Sequence, residues 1–549
     1  MSIRNICFLT LTMALAACGP RGGADTQKAP QRDAPLFDDL GSHTHPITTR
    51  SPKAQQYFNQ GLILAFAFNH AESARSFRAA QKLDPDCAMC YWGEALALGP
   101  NINAPMFPDA VPQAWAAAQK ARELASLVSP REQAYIRALQ VRYGEKPPED
   151  RSGLDRDYRD AMRELARAQP DDLDAAALYA EAIMDTTAWN YWEADGDPGP
   201  QTEVLLSVLE GVLAEAPDHP LALHLYIHAV EASPYPQRGE AMADRLAKLV
   251  PGAGHLVHMP AHIYMRLGRY ADASVANERA ANADESYITQ CRVQGFYPAA
   301  YYPHNVHFLW FAATAEGRSQ SAIAAARKLT ELVTPEIVRQ YAIVEPLLAV
   351  PQLALLQFGR WDELLAKPAP LAEFPLASAL VLYAQGTALA AKGNLPRAAE
   401  RQKALRAIVE SGQWDAYAVY QVPAEQMVEI ADLLLDAELR LRSGDEGGGL
   451  VGLREAVRLQ DALPYMEPPY WDYPVRQNLG RALLTLGLPR EAEEVYREDL
   501  RRNPRNGWSL FGLAQALRAQ GKSAAAVEVQ RRFEQAWARA DIKLTASRF

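Results

Sequence analysis

Eight of the chain's eleven histidines fall between His219 and His307, a window of 89 residues in which an even spread would put about two, and none follows His307. Imidazole is a nitrogen donor that is neutral near pH 7 and the commonest protein ligand for transition metals, so such a cluster points first to metal chemistry. The spacing adds to this. His224 and His228, like His258 and His262, stand four residues apart, which puts both rings of a pair on one helix face, about 6 Å apart along the axis. Zinc metalloproteases use this two-histidine geometry, but neither pair encloses the Glu of a His-Glu-x-x-His motif, so a zincin mechanism is not supported. A donor set rich in imidazole and poor in carboxylate suits copper or zinc ahead of iron or nickel, and selects against calcium and magnesium.

The elements that must position these side chains follow from self-similarity at a spacing of 34 residues. The first clear unit, 54–87, has Gly61, Phe77, Ala80 and Pro85 at positions 8, 24, 27 and 32. Further units are 254–287 (Gly268, Tyr270, Ala273, Ala280), 303–336 (Gly317, Ala322), 379–412 (Gly386, Gly393, Ala398), 473–506 (Gly480, Gly487, Ala492, Tyr496, Pro504) and 507–540 (Ala514, Gly521, Ala526). This pattern resembles the tetratricopeptide repeat (TPR), a pair of amphipathic helices that buries its apolar face only by stacking on its neighbours. Gly at position 15 ends the first helix and Pro near 32 stops the second. No stretch alternates in the manner of β-strands. The chain from 46 to 545 therefore reads as an all-α TPR-type helix-turn-helix solenoid, a right-handed superhelix.

The TPR resemblance implies a groove stripe at positions 2, 5, 9 and 12 of each first helix. His255, His258 and His262 take positions 2, 5 and 9 of the 254 unit, and His304 and His307 take 2 and 5 of the 303 unit. In the unit starting near Pro220, His224, His228 and Glu231 take 5, 9 and 12. Seven histidines thus line the groove in three successive repeats. The expected arrangement is one or two ions, copper or zinc. One would be held by His224, His228 and His262 with Glu231 near its open position, the other by His255, His304 and His307, with His258 between them. Met265, at position 12, would add a soft donor and tilt the choice toward copper. A pH-sensitive or anion-binding groove and simple hydrogen-bonded packing are the competing readings. His219, before Pro220, reads as a turn residue, and His43, His45 and His70 as structural.

Three motifs, Phe68-Asn69-His70, the Gly99 to Pro105 run and the Gly254 to Pro260 run, resemble those of a family of bacterial TPR lipoproteins; the resemblance spans nearly the whole chain and lends no biochemical activity. The N-terminus agrees with a lipoprotein. Residues 1–17 carry a single charge, Arg4, and an apolar run from Ile6 to Leu15 that is too short to span a bilayer as a mature helix. Leu15-Ala16-Ala17-Cys18 resembles the lipobox, which implies cleavage before Cys18 and lipid on that residue. Gly19 is not the Asp that often retains such proteins at the inner membrane, so the expected location is the periplasm, lipid-anchored to the outer membrane. Residues 18–45 read as a flexible tether, those up to Asp33 being least able to bury a core.

With Cys7 in the leader and Cys18 lipidated, Cys87, Cys90 and Cys291 remain for the fold. Tyr91 stands where a c-type haem motif needs His, so Cys87 and Cys90 read as a local disulfide, with reduced thiols or a metal or redox role as alternatives. The 56 basic and 66 acidic residues give a net charge of −10, which disfavours nucleic acid as a partner. Two functions stay open: a membrane-anchored protein with a groove metal site for metal handling or metal-dependent chemistry, and a non-catalytic scaffold binding a peptide or envelope protein. The aromatic loops Trp189 to Trp192 and Phe296 to Tyr302 read equally as lids over an organic ligand or as space-filling between irregular repeats.

Overall fold

A computed structural model of the chain describes residues 34–549, apart from 292–295, 369–371, 413 and 419–420. The segment expected to be a leader, with Arg4 and Cys7, and the expected lipidation site Cys18 lie outside the described residues. Among the described residues the secondary structure is helical, with no strand beyond two isolated bridges, Asn101 to Ala104 and Trp192 to Pro198. Most helices pack on the next: Pro52–Phe66 on His70–Leu83, that on Ala88–Ala97, and at the other end Gly507–Ala519 on Ser523–Ala536. The fold is an all-α, TPR-type solenoid.

Two local features show why the 34-residue spacing matters. The position-15 glycines Gly268, Gly317, Gly393, Gly487 and Gly521 all have φ between 69° and 80°, the left-handed turn that ends the first helix of a pair. The aromatic at position 24 is a wedge. A Cβ on Gly61 or Gly93 would meet the Phe77 ring at 2.8 or 2.2 Å, and one on Gly480 or Gly512 would meet Tyr496 at 2.3 or 2.2 Å. One ring thus packs into glycine gaps on the helix before it and the helix after it, which fixes how successive pairs stack.

The apolar interior forms two main cores, one built from residues between Ala34 and Ala315, the other from residues between Tyr302 and Val529. Each curls until distant repeats touch. In the first, Tyr287 Oη donates to Asn69 Oδ1 at 2.8 Å. In the second, Trp508 Nε1 donates to the Thr314 carbonyl at 2.9 Å, and Asp541 caps the Ser319–Leu332 helix by accepting from the Ser319 and Gln320 amides at 2.7 and 2.9 Å. The histidine stripe consequently lies buried inside the molecule, where an open groove was expected.

Residues 34–45, expected as part of the tether, are docked instead. Tyr57 Oη donates to the Ala34 carbonyl, the Phe37 amide to Gln60, and the Gly252 amide to the Asp39 carbonyl. His43, His45 and His219 converge on Asp174 at 3.0, 2.7 and 3.1 Å. Burial alone would raise the Asp174 carboxyl, but hydrogen bonds from His219, His43 and His45 outweigh it and hold the group well below the usual carboxylate range. Cys87 and Cys90 are joined as a disulfide at the start of the Ala88–Ala97 helix. Cys291 is a free, half-buried thiol that burial pushes up to about 12, which makes it a poor nucleophile.

Candidate metal centre

The Pro220–Glu231 helix is buried along its whole length. Its sequence, Leu, Ala, Ile, Val and Tyr around two histidines and a terminal glutamate, is apolar on every face, which is what a helix enclosed by its neighbours requires. His219 caps it, Nδ1 accepting from the Ala222 amide at 3.3 Å, and Pro220 occupies the first turn, where no amide is needed. The next pair of segments, Gly254–His258 and Pro260–Arg266, is one helix interrupted. Pro260 removes an amide from the ladder, but Met259 keeps helical angles, so His258 and His262 remain one turn apart. The Tyr302–Ala315 helix supplies His304 and His307.

On these helices the imidazoles gather as two trios. The ligand-capable atoms of His224, His228 and His255 lie within 4.8 Å of one another, as do those of His258, His262 and His304. Five of the six residues are buried and His304 is partly so. Four of the rings are held from behind. His224 Nδ1 donates to the Phe66 carbonyl at 2.7 Å, His228 Nδ1 to Glu231 Oε1 at 2.7 Å, His262 Nδ1 to Glu231 Oε2 at 2.5 Å and His258 Nδ1 to Asn277 Oδ1 at 2.7 Å. Asn277 Nδ2 donates to the Ala273 carbonyl at 2.8 Å, which orients its oxygen toward the ring. With acceptors behind these four Nδ1 atoms, the hydrogen sits there and each of the four Nε2 atoms presents a lone pair inward.

Those lone pairs have little to meet. His224 Nε2, His228 Nε2 and both His255 nitrogens are buried without a hydrogen-bond partner, and His258 and His262 aim Nε2 at Nε2 across 2.8 Å. With Nδ1 of each ring already donating, the two Nε2 atoms bring lone pair against lone pair in that geometry, and a shared cation would remove the conflict. Burial, and then the neighbouring imidazoles, hold His224, His255, His258 and His304 well below the ordinary histidine range, and burial lowers His228 despite Glu231. Neutral rings are the form that binds metal. Burial would raise Glu231, but the His262 and His228 imidazoles outweigh it and keep the carboxylate ionised.

The grouping differs from the sequence expectation. In each trio, positions 5 and 9 of one repeat meet position 2 of the next: His224 and His228 with His255, then His258 and His262 with His304. The second trio is the first moved along by one repeat. His262 therefore joins His258 rather than His224, and His255 leaves His304 and His307. Glu231, expected near an open coordination position, spends both oxygens on ring Nδ1 atoms of His228 and His262. His307 belongs to neither trio; it stacks on Trp310 with centroids 5.4 Å apart and stands 3.7 Å from Asp472. Met265 lines a separate cavity with Tyr270 and Trp508. The reason is stagger: helix arithmetic gives the face of each ring, but the offset between neighbouring helices decides which rings meet.

Aromatic rings enclose the trios. Phe68 lies 4.6 Å from His224, Trp189 5.1 Å edge-on to His228, Tyr301 4.9 Å from His255, and Phe308 4.6 and 4.7 Å from His258 and His262. Trp189 and Phe68 both have positive φ, 64° and 54°. The aromatic loops thus divide in role: Trp189, Phe296 and Tyr301 face the histidines, whereas Tyr191 packs inward and Trp192 Nε1 donates to the Ala229 carbonyl.

A chamber of about 270 Å³ lies over the trios, with His228, His255, His262 and His304 on one side and residues of the second core on the other. Sequence reasoning missed that far wall. Tyr465 Oη lies 3.0 Å from Glu467 Oε1 and 3.2 Å from Glu231 Oε2, its single hydrogen shared between them, and Asp472 faces His307. Burial pushes Glu467 up to about 7 and raises Asp472. The one available signal was the run from Met466 to Pro474, whose prolines and aromatics mark an ordered, non-helical loop.

The remaining histidines are engaged in the fold. Two further groups, His43, Asp174 and His219, and His45, Asp172 and Asp174, have close ligand-capable atoms, but they centre on a carboxylate that three imidazoles already share. His70 Nδ1 bonds the Ala97 carbonyl at 2.8 Å and its Nε2 faces Asn101 Nδ2 at 3.0 Å; burial lowers it to about 4.

No protein-family model matches the chain, and no curated protein is similar to it. Solved structures that align with it include the human IFIT1 dimer with m7Gppp-AAAA, at 11% identity over 89% of this chain and 91% of that one, TM-score 0.32. The APC/C hetero-tetramer Cut9-Hcn1 aligns at 11% identity over 90% and 95%, TM-score 0.27, and the P58(IPK) TPR domain at 12% over 86% and 99%, TM-score 0.22.

Proposed function

We propose that this chain is a dinuclear metalloprotein, with one copper or zinc ion in each histidine trio and the coordination position opposite each trio open to the chamber for metal-dependent chemistry. The observation that carries the reading is the opposed pair of Nε2 atoms of His258 and His262, both rings held at Nδ1. The donor set fits. Metal–nitrogen bonds of about 2.0–2.1 Å place tetrahedral ligand atoms roughly 3.3 Å apart, and the trios bracket that value with separations of 2.8 to 4.8 Å. Three imidazoles and an open position are the ligand set with which a catalytic ion polarises a bound oxygen.

The reading also places the protein in the periplasm, held by lipid on Cys18. Among the described residues no helix is long and apolar enough to cross a membrane. Cys18→Ser should move the protein from the detergent phase to the aqueous phase; retention in the detergent phase would end the anchor reading.

Elemental analysis of the full mature chain, purified without a histidine tag after growth with copper, zinc and iron, tests the centre. Two equivalents of one transition metal are expected. His224→Ala or His258→Ala should leave about one, and His307→Ala should leave two. Less than a tenth of an equivalent of every transition metal would overturn the proposal.

A further inference from the structure

The chamber is asymmetric. Its floor is nitrogen; its far wall is apolar, with Val350, Leu380 and Met427 from the second core, Leu347 packed against that core, and the exposed Ile343 at its edge. Into that wall are set two carboxylates, Glu467 and Asp472. Glu467 is more than nine-tenths buried, one of its oxygens accepts from Tyr465, and the other, Oε2, is buried with no partner. A buried carboxylate oxygen without a donor is costly, and such groups in cavities mark ligand contacts.

Charge narrows the class of ligand. In the metal-free chamber a carboxylate or phosphate would bury its charge beside Glu467 and Asp472 in an apolar space whose lining holds no Lys or Arg. An ammonium at Glu467 would be repelled by the Arg266 guanidinium, which stands outside the chamber lining, lies 5.3 Å over the Tyr465 ring and already pairs electrostatically with Glu467. A neutral molecule carrying one hydroxyl meets neither objection. Its hydrogen satisfies Glu467, its oxygen lone pairs face the trios, and its body lies on the apolar wall. Trp189, Phe296 and Tyr301 at the near side offer ring faces and edges, so a flat aromatic body fits better than a chain.

We infer that the chamber binds a mono- or bicyclic phenol, with the hydroxyl hydrogen donated to Glu467 Oε2 and the oxygen turned toward the histidine trios. The inference rests on the metal reading only for the direction of the oxygen; the hydrogen bond and the apolar wall belong to the protein alone.

The test uses the full mature chain, both chelator-treated and zinc-loaded, titrated with 4-methylphenol and with its methyl ether 4-methylanisole by saturation-transfer NMR. In the chelator-treated protein the phenol should bind about tenfold more tightly than the ether, the size expected for one buried hydrogen bond. Glu467→Leu should erase that preference while the ether still binds, and Leu380→Trp, which fills the apolar wall, should abolish binding of both. In the zinc-loaded protein the phenol alone should tighten further. Equal binding of phenol and ether to the unmodified chain, no binding of either, or binding unaffected by Leu380→Trp would overturn the inference. If the chain takes up no zinc, the metal reading fails while the chelator-treated arm still decides the phenol site.

Discussion

Phe68 holds its ring 4.6 Å from that of His224 while its backbone sits at φ 54°, in the left-handed turn that glycine fills at the same position of five other repeats. The ring also stacks on His70 and His255, at 5.9 and 5.5 Å. A bulky residue in that conformation costs about 1–2 kcal/mol, and losing a buried phenylalanine costs about 3–5 kcal/mol, so the packing outweighs the strain. Phe68→Gly should therefore destabilise the protein by about 1–4 kcal/mol on those two estimates, read as a lower denaturation midpoint, although glycine suits the turn. An unchanged or raised midpoint would show that the ring supports nothing.

Glu231 joins the two trios, since His228 in one and His262 in the other donate to its separate oxygens. Glu231→Gln keeps the shape but replaces one acceptor by a donor, so one ring loses its tautomer. Metal affinity should fall about 10- to 100-fold with the far-ultraviolet circular dichroism unchanged. Competition with a chromophoric chelator measures it.

Acid should weaken the metal-free protein. The folded state holds His70 at about 4, and holds His224, His255, His258 and His304 well below the ordinary value, whereas the unfolded chain protonates near 6.5. Below that value the unfolded state binds more protons, so the stability these groups contribute is complete above pH 6.5 and is lost as pH falls toward 4. Each histidine involved adds a slope of about 1.4 kcal/mol per pH unit. Urea midpoints, with chelator present, should rise from pH 5 to about 6.5 and then level off; a flat profile over that rise would contradict neutral, buried imidazoles.

Asp174 anchors the docked N-terminal segment through His43 and His45 and secures the start of the Pro220–Glu231 helix through His219. Removing the buried partner of such a cluster typically costs about 3–5 kcal/mol. Asp174→Ala should therefore free residues 34–47 and expose them to limited proteolysis, with new cleavage products identified by mass spectrometry. Equal resistance of variant and parent would show that the segment is held elsewhere.

How much of this was legible beforehand follows from range. The 34-residue spacing, the turn glycines and the placement of seven histidines on one stripe depend on the local geometry of a helix, in which identity and spacing dictate which face a side chain occupies, and these features read directly from the residues. The division of those histidines into two trios, with His262 beside His258 and not His224, depends on the stagger between neighbouring helices, which the packing of Phe77-type wedges and apolar faces decides. Glu231 looked like a ligand because its type and position allow it; only the rotamers of His228 and His262 show both its oxygens occupied. The docking of residues 34–45 required Asp174, and the far wall required Tyr465, Glu467 and Asp472, which stand more than 150 residues from the trios along the chain and reach them only because the solenoid curls back on itself. Sequence alone thus determined which residue types cluster and the helix face that carries them, while the tertiary structure decided which atoms meet, because contact between distant segments depends on the packing of the whole chain.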